Sequence, residues 1–257
     1  MALLHDQIVL ITGASSGIGA ACAQLFAQQG ARTILAARRM DKLEQLGAEI
    51  THTYGREVHL LQLDVCDRVQ VEATLANLPA AWSAIDILVN NAGLSRGLDK
   101  LQTGSIEDWE EMIDTNIKGL LYVTRSLLPG MIDRGRGHVI NLGSIAGHQA
   151  YPGGNVYCAT KAAVKAISEG LKLDLLGTPV RVSSVDPGMV ETEFSEIRFR
   201  GDSDRAKQVY QGLQPLTPED VAEVVVFCAT RPAHVNINEV ILMPIDQASA
   251  TSVHRTP

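Results

Sequence analysis

The feature that most constrains how this chain can fold is a rhythm: apolar runs of strand length alternate with segments of helical period along its whole length. Ile8-Val9-Leu10-Ile11 is followed by a helical segment from Gly17 to Gln29, then by Thr33-Ile34-Leu35-Ala36, then by a helix opening at Asp41. The pattern continues through Val58 to Leu63, Asp86 to Val89, His138 to Leu142, Val180 to Val185 and Val240 to Met243, which makes seven candidate strands. Strands that are apolar almost throughout have no face to show to water. They belong in a parallel sheet covered by helices on both faces and joined by right-handed crossovers. The expectation is a single α/β domain over residues 1–257, a length sufficient for one such core.

Local signals mark the element ends. Gly30 stops the first helix, Ser105-x-x-Asp108 resembles a capping box, and Thr217-Pro218-Glu219-Asp220 supplies an N-cap, a proline in the first turn and acids beside it. The one long irregular stretch, Asp186 to about Asp204, follows the sixth strand, at the carboxyl edge where open α/β sheets bind ligands. A substrate loop is therefore expected over about 187–212. The polar tail after Asp246 is expected either to be disordered or to reach a neighbouring subunit.

Composition excludes several classes of function. The net charge is −7 and the basic residues are scattered, which argues against nucleic acid as a partner. No apolar run is long enough to cross a bilayer, and the segment Met1 to Asp6 carries no signal-peptide pattern, so a cytoplasmic protein without membrane association is expected. The four cysteines, Cys22, Cys66, Cys158 and Cys228, lack metal-binding or disulfide spacing and read as reduced thiols, with no metal site.

Directly after the first strand comes Thr12-Gly13-Ala14-Ser15-Ser16-Gly17-Ile18-Gly19. Such a turn opens a helix whose free N–H groups and dipole suit a pyrophosphate. Gly13 serves the tight turn, Gly17 the approach of backbone to phosphate, and Gly19 close helix–strand packing. A dinucleotide site selective for NAD places an acid at the end of the second strand. Here the chain reads Ala36-Ala37-Arg38-Arg39, and two guanidiniums at a helix start oppose its dipole unless an anion joins them. A 2′-phosphate is the natural anion, so NADP is the expected cofactor.

Tyr157 and Lys161 stand four apart in a helical segment, Asn155 to Leu176, and share one face. A phenol is a poor base at neutral pH, and a neighbouring ammonium is expected to lower its pKa. Ser144, just past the fifth strand, is placed to hold the substrate oxygen that exchanges a proton with Tyr157. Asn116 supplies an amide that can position a water beside Lys161. Cys158, next to the tyrosine, reads as a small side chain on a helix face.

These motifs, together with Asn90-Asn91-Ala92-Gly93 and Asp186-Pro187-Gly188, match in order and spacing those of the short-chain dehydrogenase/reductase family, which the chain resembles over nearly its whole length. The resemblance implies a seven-stranded Rossmann sheet, hydride transfer between a nicotinamide and a carbonyl or alcohol carbon, and a homotetramer. It also implies that Asp64 and Val65 lie beside the adenine, Asn91 near its ribose, and Pro187, Gly188, Val190 and Thr192 around the nicotinamide. A narrower resemblance, carried by Gly153 to Tyr157, Thr192 to Asp202, Pro232 to Asn238 and Val253-His254-Arg255, is to the NADP-dependent 3-hydroxy acid dehydrogenases that oxidise serine and allo-threonine. A carboxylate substrate needs a cation, and Arg198 or Arg200 in the long loop is the first expectation, with Arg96 the second. Two other readings stay open: a reductase of a different carbonyl, such as a sulfonated aldehyde, a diketone or a 3-oxoacyl thioester, and a regulator that binds NADP without turnover. The regulator's signature is a missing tyrosine or lysine, and this chain keeps both.

Overall fold

The computed structural model describes residues 3–256, so Met1 and Ala2, where the segment read for a leader begins, lie outside the described residues. One sheet takes up all seven strands: β1 (Ile8–Thr12), β2 (Arg32–Ala37), β3 (Val58–Gln62), β4 (Ile87–Asn90), β5 (Gly137–Leu142), β6 (Val180–Pro187) and β7 (Glu239–Leu242). Every pairing is parallel, in the order β3-β2-β1-β4-β5-β6-β7. Helices α1 (Gly17–Gln28), α2 (Met40–Tyr54), α3 (Arg68–Ala76), α4 (Ile106–Ile113), α5 (Leu120–Asp133) and α6 (Asn155–Asp174) supply the crossovers. Two short helices, α7 (Phe194–Arg198) and α8 (Ser203–Gln208), and the longer α9 (Pro218–Ala229) lie between β6 and β7.

The period-2 alternation of strand side chains divides the core in two. Val9, Ile11 and Leu35 turn to one face and pack with Phe26, Leu43, Val221 and Val225 of α1, α2 and α9. Ile8, Leu10 and Ile34 turn to the other and pack with Val71, Val123, Leu127 and Met131 of α3 and α5. At Ser105, where a capping box is expected, only the half in which the Asp108 N–H donates to the hydroxyl forms, while the N-cap expected at Thr217 is a full capping box with Asp220.

The chain winds outward from β1 to β3, then returns to place β4 on the other side of β1. The crossovers on either side of that reversal diverge and leave a crevice at the carboxyl ends of β1 and β4, the usual ligand position in such sheets. Residues closing strands here, Thr12, Asn90, Leu142 and Pro187, all border it or support it.

Between α4 and α5 a π-helical turn, Asp114–Gly119, inserts a residue and brings Thr115, Asn116 and Gly119 all inward. Two expectations change. The irregular stretch after Asp186 is shorter than expected, because β6 runs on to Pro187 and α7 and α8 form within it. The tail neither frays nor leaves the subunit: Arg255 donates to the carbonyls of Gln211 and Val209, and Thr256 N–H to Gly212 at 2.7 Å, so it straps the end of the loop. No helix among the described residues is long and apolar enough to cross a membrane.

Candidate active site

The crevice is organised around the turn after β1. The buried Thr12 hydroxyl accepts the N–H groups of Asn91 and Ala92 at 3.1 and 3.0 Å, and the Asn91 amide donates to the carbonyls of Thr12 and Gly13 at 3.0 and 3.1 Å. These bonds pin β4 against the glycine turn. Gly13 has φ +65°, and a Cβ at Gly19 would stand 2.4 Å from the Gly13 carbonyl oxygen, so any side chain there would push α1 off the strand. The start of α1 faces the crevice with Ser16, Gly17 and Ile18. Ser16, in the N-cap position, makes no side-chain cap bond, and no acid occupies the first turn. Those N–H groups and the positive end of a three-turn helix fit an anionic group such as a pyrophosphate.

Farther along, the crevice is walled by Arg38, Arg39, Asp64 and Val65 at the carboxyl ends of β2 and β3. Arg38 is mostly exposed, 4.0 Å from Asp64. Arg39 lies over the glycine turn, donating to the hydroxyls of Ser15 (3.0 and 3.2 Å) and Ser16 (2.7 Å), with its remaining nitrogen 3.0 Å from Glu193.

At the opposite end, Ser144, Tyr157 and Lys161 line the cleft together with Leu142, Pro187, Gly188, Val190 and Thr192. Ser144 follows β5 and caps a single 3₁₀ turn, accepting the Ala146 N–H at 3.1 Å. Tyr157 and Lys161 are both buried in the first turns of α6. Burial pushes the Tyr157 phenol above its ordinary pKa, while the Arg198 guanidinium and the adjacent Ser144 hydroxyl work against that rise. Burial also pushes Lys161 down to about 8, with the anionic Asp186 acting in the other direction. The Lys161 ammonium donates to the Leu142 carbonyl at 2.8 Å. Lys161 is thus turned to the end of β5, and the cation opposing the rise of the phenol's pKa is Arg198.

Asn116 accepts the Leu94 N–H at 2.8 Å and donates to the Leu94 carbonyl at 2.8 Å and to Thr160 at 3.0 Å. It braces the segment after β4, and its oxygen, with one lone pair still open, lies on the same side of Gly93 as the Lys161 ammonium. Cys158 packs with Leu94, Met112 and Ala146, and burial raises its thiol pKa, in keeping with a small packing residue.

The fold separates the three candidate arginines. Arg96 is held by both carboxylate oxygens of Glu111 and by the Ile197 carbonyl. Arg200 pairs with Asp108 and borders the Arg38 end of the crevice, so its expected place beside the substrate is corrected. Arg198 alone joins Tyr157: its guanidinium lies 5.5 Å from the centre of that ring and 5.0 Å from Phe194, and it donates to the Tyr151 hydroxyl at 3.2 Å. Its buried Nε has no partner. Sequence reasoning did not single out Leu142, Glu193, Phe194 or Ile197 as site residues, and their types carry no local signal; only the packing of α7 over the cleft brings the last three there.

The model of the family described as short chain dehydrogenase matches residues 7–202. The chain belongs to that family. It is 52% identical over 251 residues to an NADP-dependent 3-hydroxy acid dehydrogenase, YdfG, from Escherichia coli, covering 97% of this chain and all of that protein. It is 46% identical over 242 residues to serine 3-dehydrogenase of Rhizobium radiobacter, covering 94% and 95% of the two. Among solved structures, the closed form of a serine dehydrogenase complexed with NADP+ superimposes with a TM-score of 0.91 at 50% identity, covering 97% of this chain and all of that one.

Proposed function

We propose that this short-chain dehydrogenase transfers a hydride between NADP and the hydroxyl-bearing carbon of a small 3-hydroxy acid of the serine, allo-threonine or 3-hydroxypropionate type. The observation that carries the reading is the position of Arg198, a guanidinium with an unpartnered buried nitrogen, against the ring of Tyr157. A neutral alcohol has no use for a cation there, whereas a substrate carboxylate two bonds from the reacting carbon does. The curated relatives named for 3-hydroxy acids and serine support the same substrate class.

When bound, the nicotinamide supplies the hydride chemistry, and the residues here divide the remaining work. The open start of α1 and the glycine turn would hold the pyrophosphate, with Gly13, Ser15, Ser16, Gly17 and Ile18 lining its place and Gly19 packed beneath them against the Gly13 carbonyl. Arg38 and Arg39 would receive the 2′-phosphate, and Asp64 and Val65 would border the adenine. Asn91 fixes the turn from below, and Pro187, Gly188, Val190 and Thr192 shape the nicotinamide end. Ser144 holds the substrate oxygen and Tyr157 exchanges its proton, as acid in reduction and base in oxidation. Lys161 supplies positive charge below about pH 8, and Asn116 keeps the floor of the cleft rigid. Residues 187–212 form the substrate loop of the single 1–257 domain. The wholly exposed Ile245 next to edge strand β7 fits a tetramer in which that face is covered by a second copy. Such an enzyme works in the cytoplasm.

Initial rates with serine, allo-threonine, 3-hydroxypropionate and a neutral secondary alcohol, each with NADP and NAD, test the reading in wild type and in Arg198→Met. The expected result is NADP-dependent turnover of the hydroxy acids, with the variant losing about tenfold to a hundredfold in kcat/KM on them and far less on the alcohol. Equal losses on both substrate types refute the carboxylate clamp.

A further inference from the structure

Arg39 is the guanidinium assigned above to the 2′-phosphate, yet it already holds a carboxylate. Glu193 Oε2 lies 3.0 Å from Arg39 Nη1, and both side chains are 43% exposed, so the pair sits at the rim of the crevice within reach of an entering ligand. Glu193 does not belong to the glycine-turn half of the molecule. It precedes α7 in the substrate loop, 154 residues along the chain from Arg39. The residue before it, Thr192, lies directly on the glycine turn, where a Cβ at Gly17 would meet its methyl at 3.2 Å. The Arg39–Glu193 pair therefore joins the two walls of the crevice at the place where a phosphate must enter. It also fixes the start of the helix that carries Phe194 and Arg198 against Tyr157.

A guanidinium can donate to two anions, but a phosphate dianion and a carboxylate on one guanidinium repel each other, so each weakens the hold of the other. We propose that Glu193 is a specificity-determining latch: it competes with the cofactor's 2′-phosphate for Arg39, and displacement by that phosphate releases the start of α7. The inference rests on the reading that Arg39 receives the 2′-phosphate. Two consequences follow from the geometry. Glu193 weakens binding of the phosphorylated dinucleotide and leaves its unphosphorylated counterpart unaffected. Arrival of the phosphate at one end of the crevice loosens the segment bearing Arg198 at the other, so the cofactor is sensed before the substrate is clamped. Arg38, with Asp64 only at 4.0 Å, is free to make the first contact with the phosphate while Arg39 is still latched.

The test uses the adenosine halves of the two dinucleotides, which lack the nicotinamide. Calorimetric titration of 2′,5′-ADP and 5′-AMP into wild type, Glu193→Gln and Arg39→Met is followed by backbone hydrogen exchange over residues 191–201. Glu193→Gln is expected to tighten 2′,5′-ADP by about twofold to fivefold, the range for a half-exposed ion pair, and to leave 5′-AMP unchanged. In wild type, 2′,5′-ADP is expected to speed exchange over 191–201 toward the rate of Glu193→Gln, and 5′-AMP is not. If Arg39→Met keeps the full preference for 2′,5′-ADP, the cofactor assignment of Arg39 fails, and the latch fails with it. If Arg39→Met abolishes that preference but Glu193→Gln leaves 2′,5′-ADP binding unchanged or weaker, the assignment stands and the latch alone is overturned.

Discussion

Replacing Lys161 by methionine should make this protein more stable and inactive at once. The side chain is buried, and its pKa falls from 10.5 in the unfolded chain to about 8 in the fold. At about 1.4 kcal/mol per unit, keeping the ammonium charged in the folded state costs about 3 kcal/mol below pH 7. Methionine has a similar shape and no charge. It forfeits the bond to the Leu142 carbonyl, about 1–2 kcal/mol for a charged donor, so the net gain near neutrality is about 1–2 kcal/mol. The pH dependence separates this cause from better packing. Between pH 8 and 10.5 the unfolded lysine carries a proton that the folded one has lost, so raising the pH favours the folded wild type. The variant has no such dependence, and its advantage should shrink by about 2 kcal/mol between pH 7 and pH 9.5. Urea unfolding of both proteins at the two pH values measures this. A variant less stable than wild type at pH 7, or an advantage that does not change with pH, refutes the argument that burial penalises this ammonium.

Other expectations are sharper in structure than in magnitude. Gly19→Ala sets a methyl 2.4 Å from the Gly13 carbonyl oxygen, so thermal unfolding should show a loss of about 1–3 kcal/mol, and dinucleotide titration a weaker Kd. Arg96→Met breaks the two-oxygen pair with Glu111 and should destabilise by about 1–3 kcal/mol in denaturant while leaving the ratio of kcat/KM for serine over a neutral alcohol unchanged; a changed ratio returns Arg96 to the list of substrate groups. Ile245→Asp should shift sedimentation velocity toward smaller species without altering the far-ultraviolet spectrum, since the side chain makes no intrachain core contact.

How far the site can be read from the sequence depends on the range over which each feature is encoded. The strands and the glycine turn are local: Ile8-Val9-Leu10-Ile11 has to be covered on both faces, and the segment Thr12 to Gly19 has to turn, whatever lies elsewhere. Tyr157 and Lys161 are local too, being one helical turn apart. The direction of the lysine is not, because it is set by the Leu142 carbonyl nineteen residues earlier. The π turn at Asp114–Gly119 hides in an apolar pattern that differs from an α-helix by one inserted residue, and it is that residue which turns Asn116 to Leu94. The arginines show the limit most clearly. In the sequence Arg198 and Arg200 are equal first candidates with Arg96 behind them, but Arg96 meets Glu111 and Arg200 meets Asp108, and neither acid is marked as a partner by its neighbours.

The two titratable groups at the reacting end respond to burial in opposite senses, and this fixes which residue can sustain catalysis as pH rises. The phenol of Tyr157 is raised and the ammonium of Lys161 is lowered, so each moves toward its neutral form. As the pH rises through about 8 Lys161 loses its charge while Tyr157 is still a phenol. A site relying on lysine alone would then be without a cation when oxidation requires the tyrosine to accept a proton. A guanidinium keeps its charge throughout that range. On the proposed function, Arg198, 5.5 Å from the centre of the tyrosine ring, keeps a positive charge beside the phenol through that range, and the same group would hold the substrate carboxylate. On that reading, placing both tasks on one residue of α7 makes the field at Tyr157 depend on where that helix sits over the cleft.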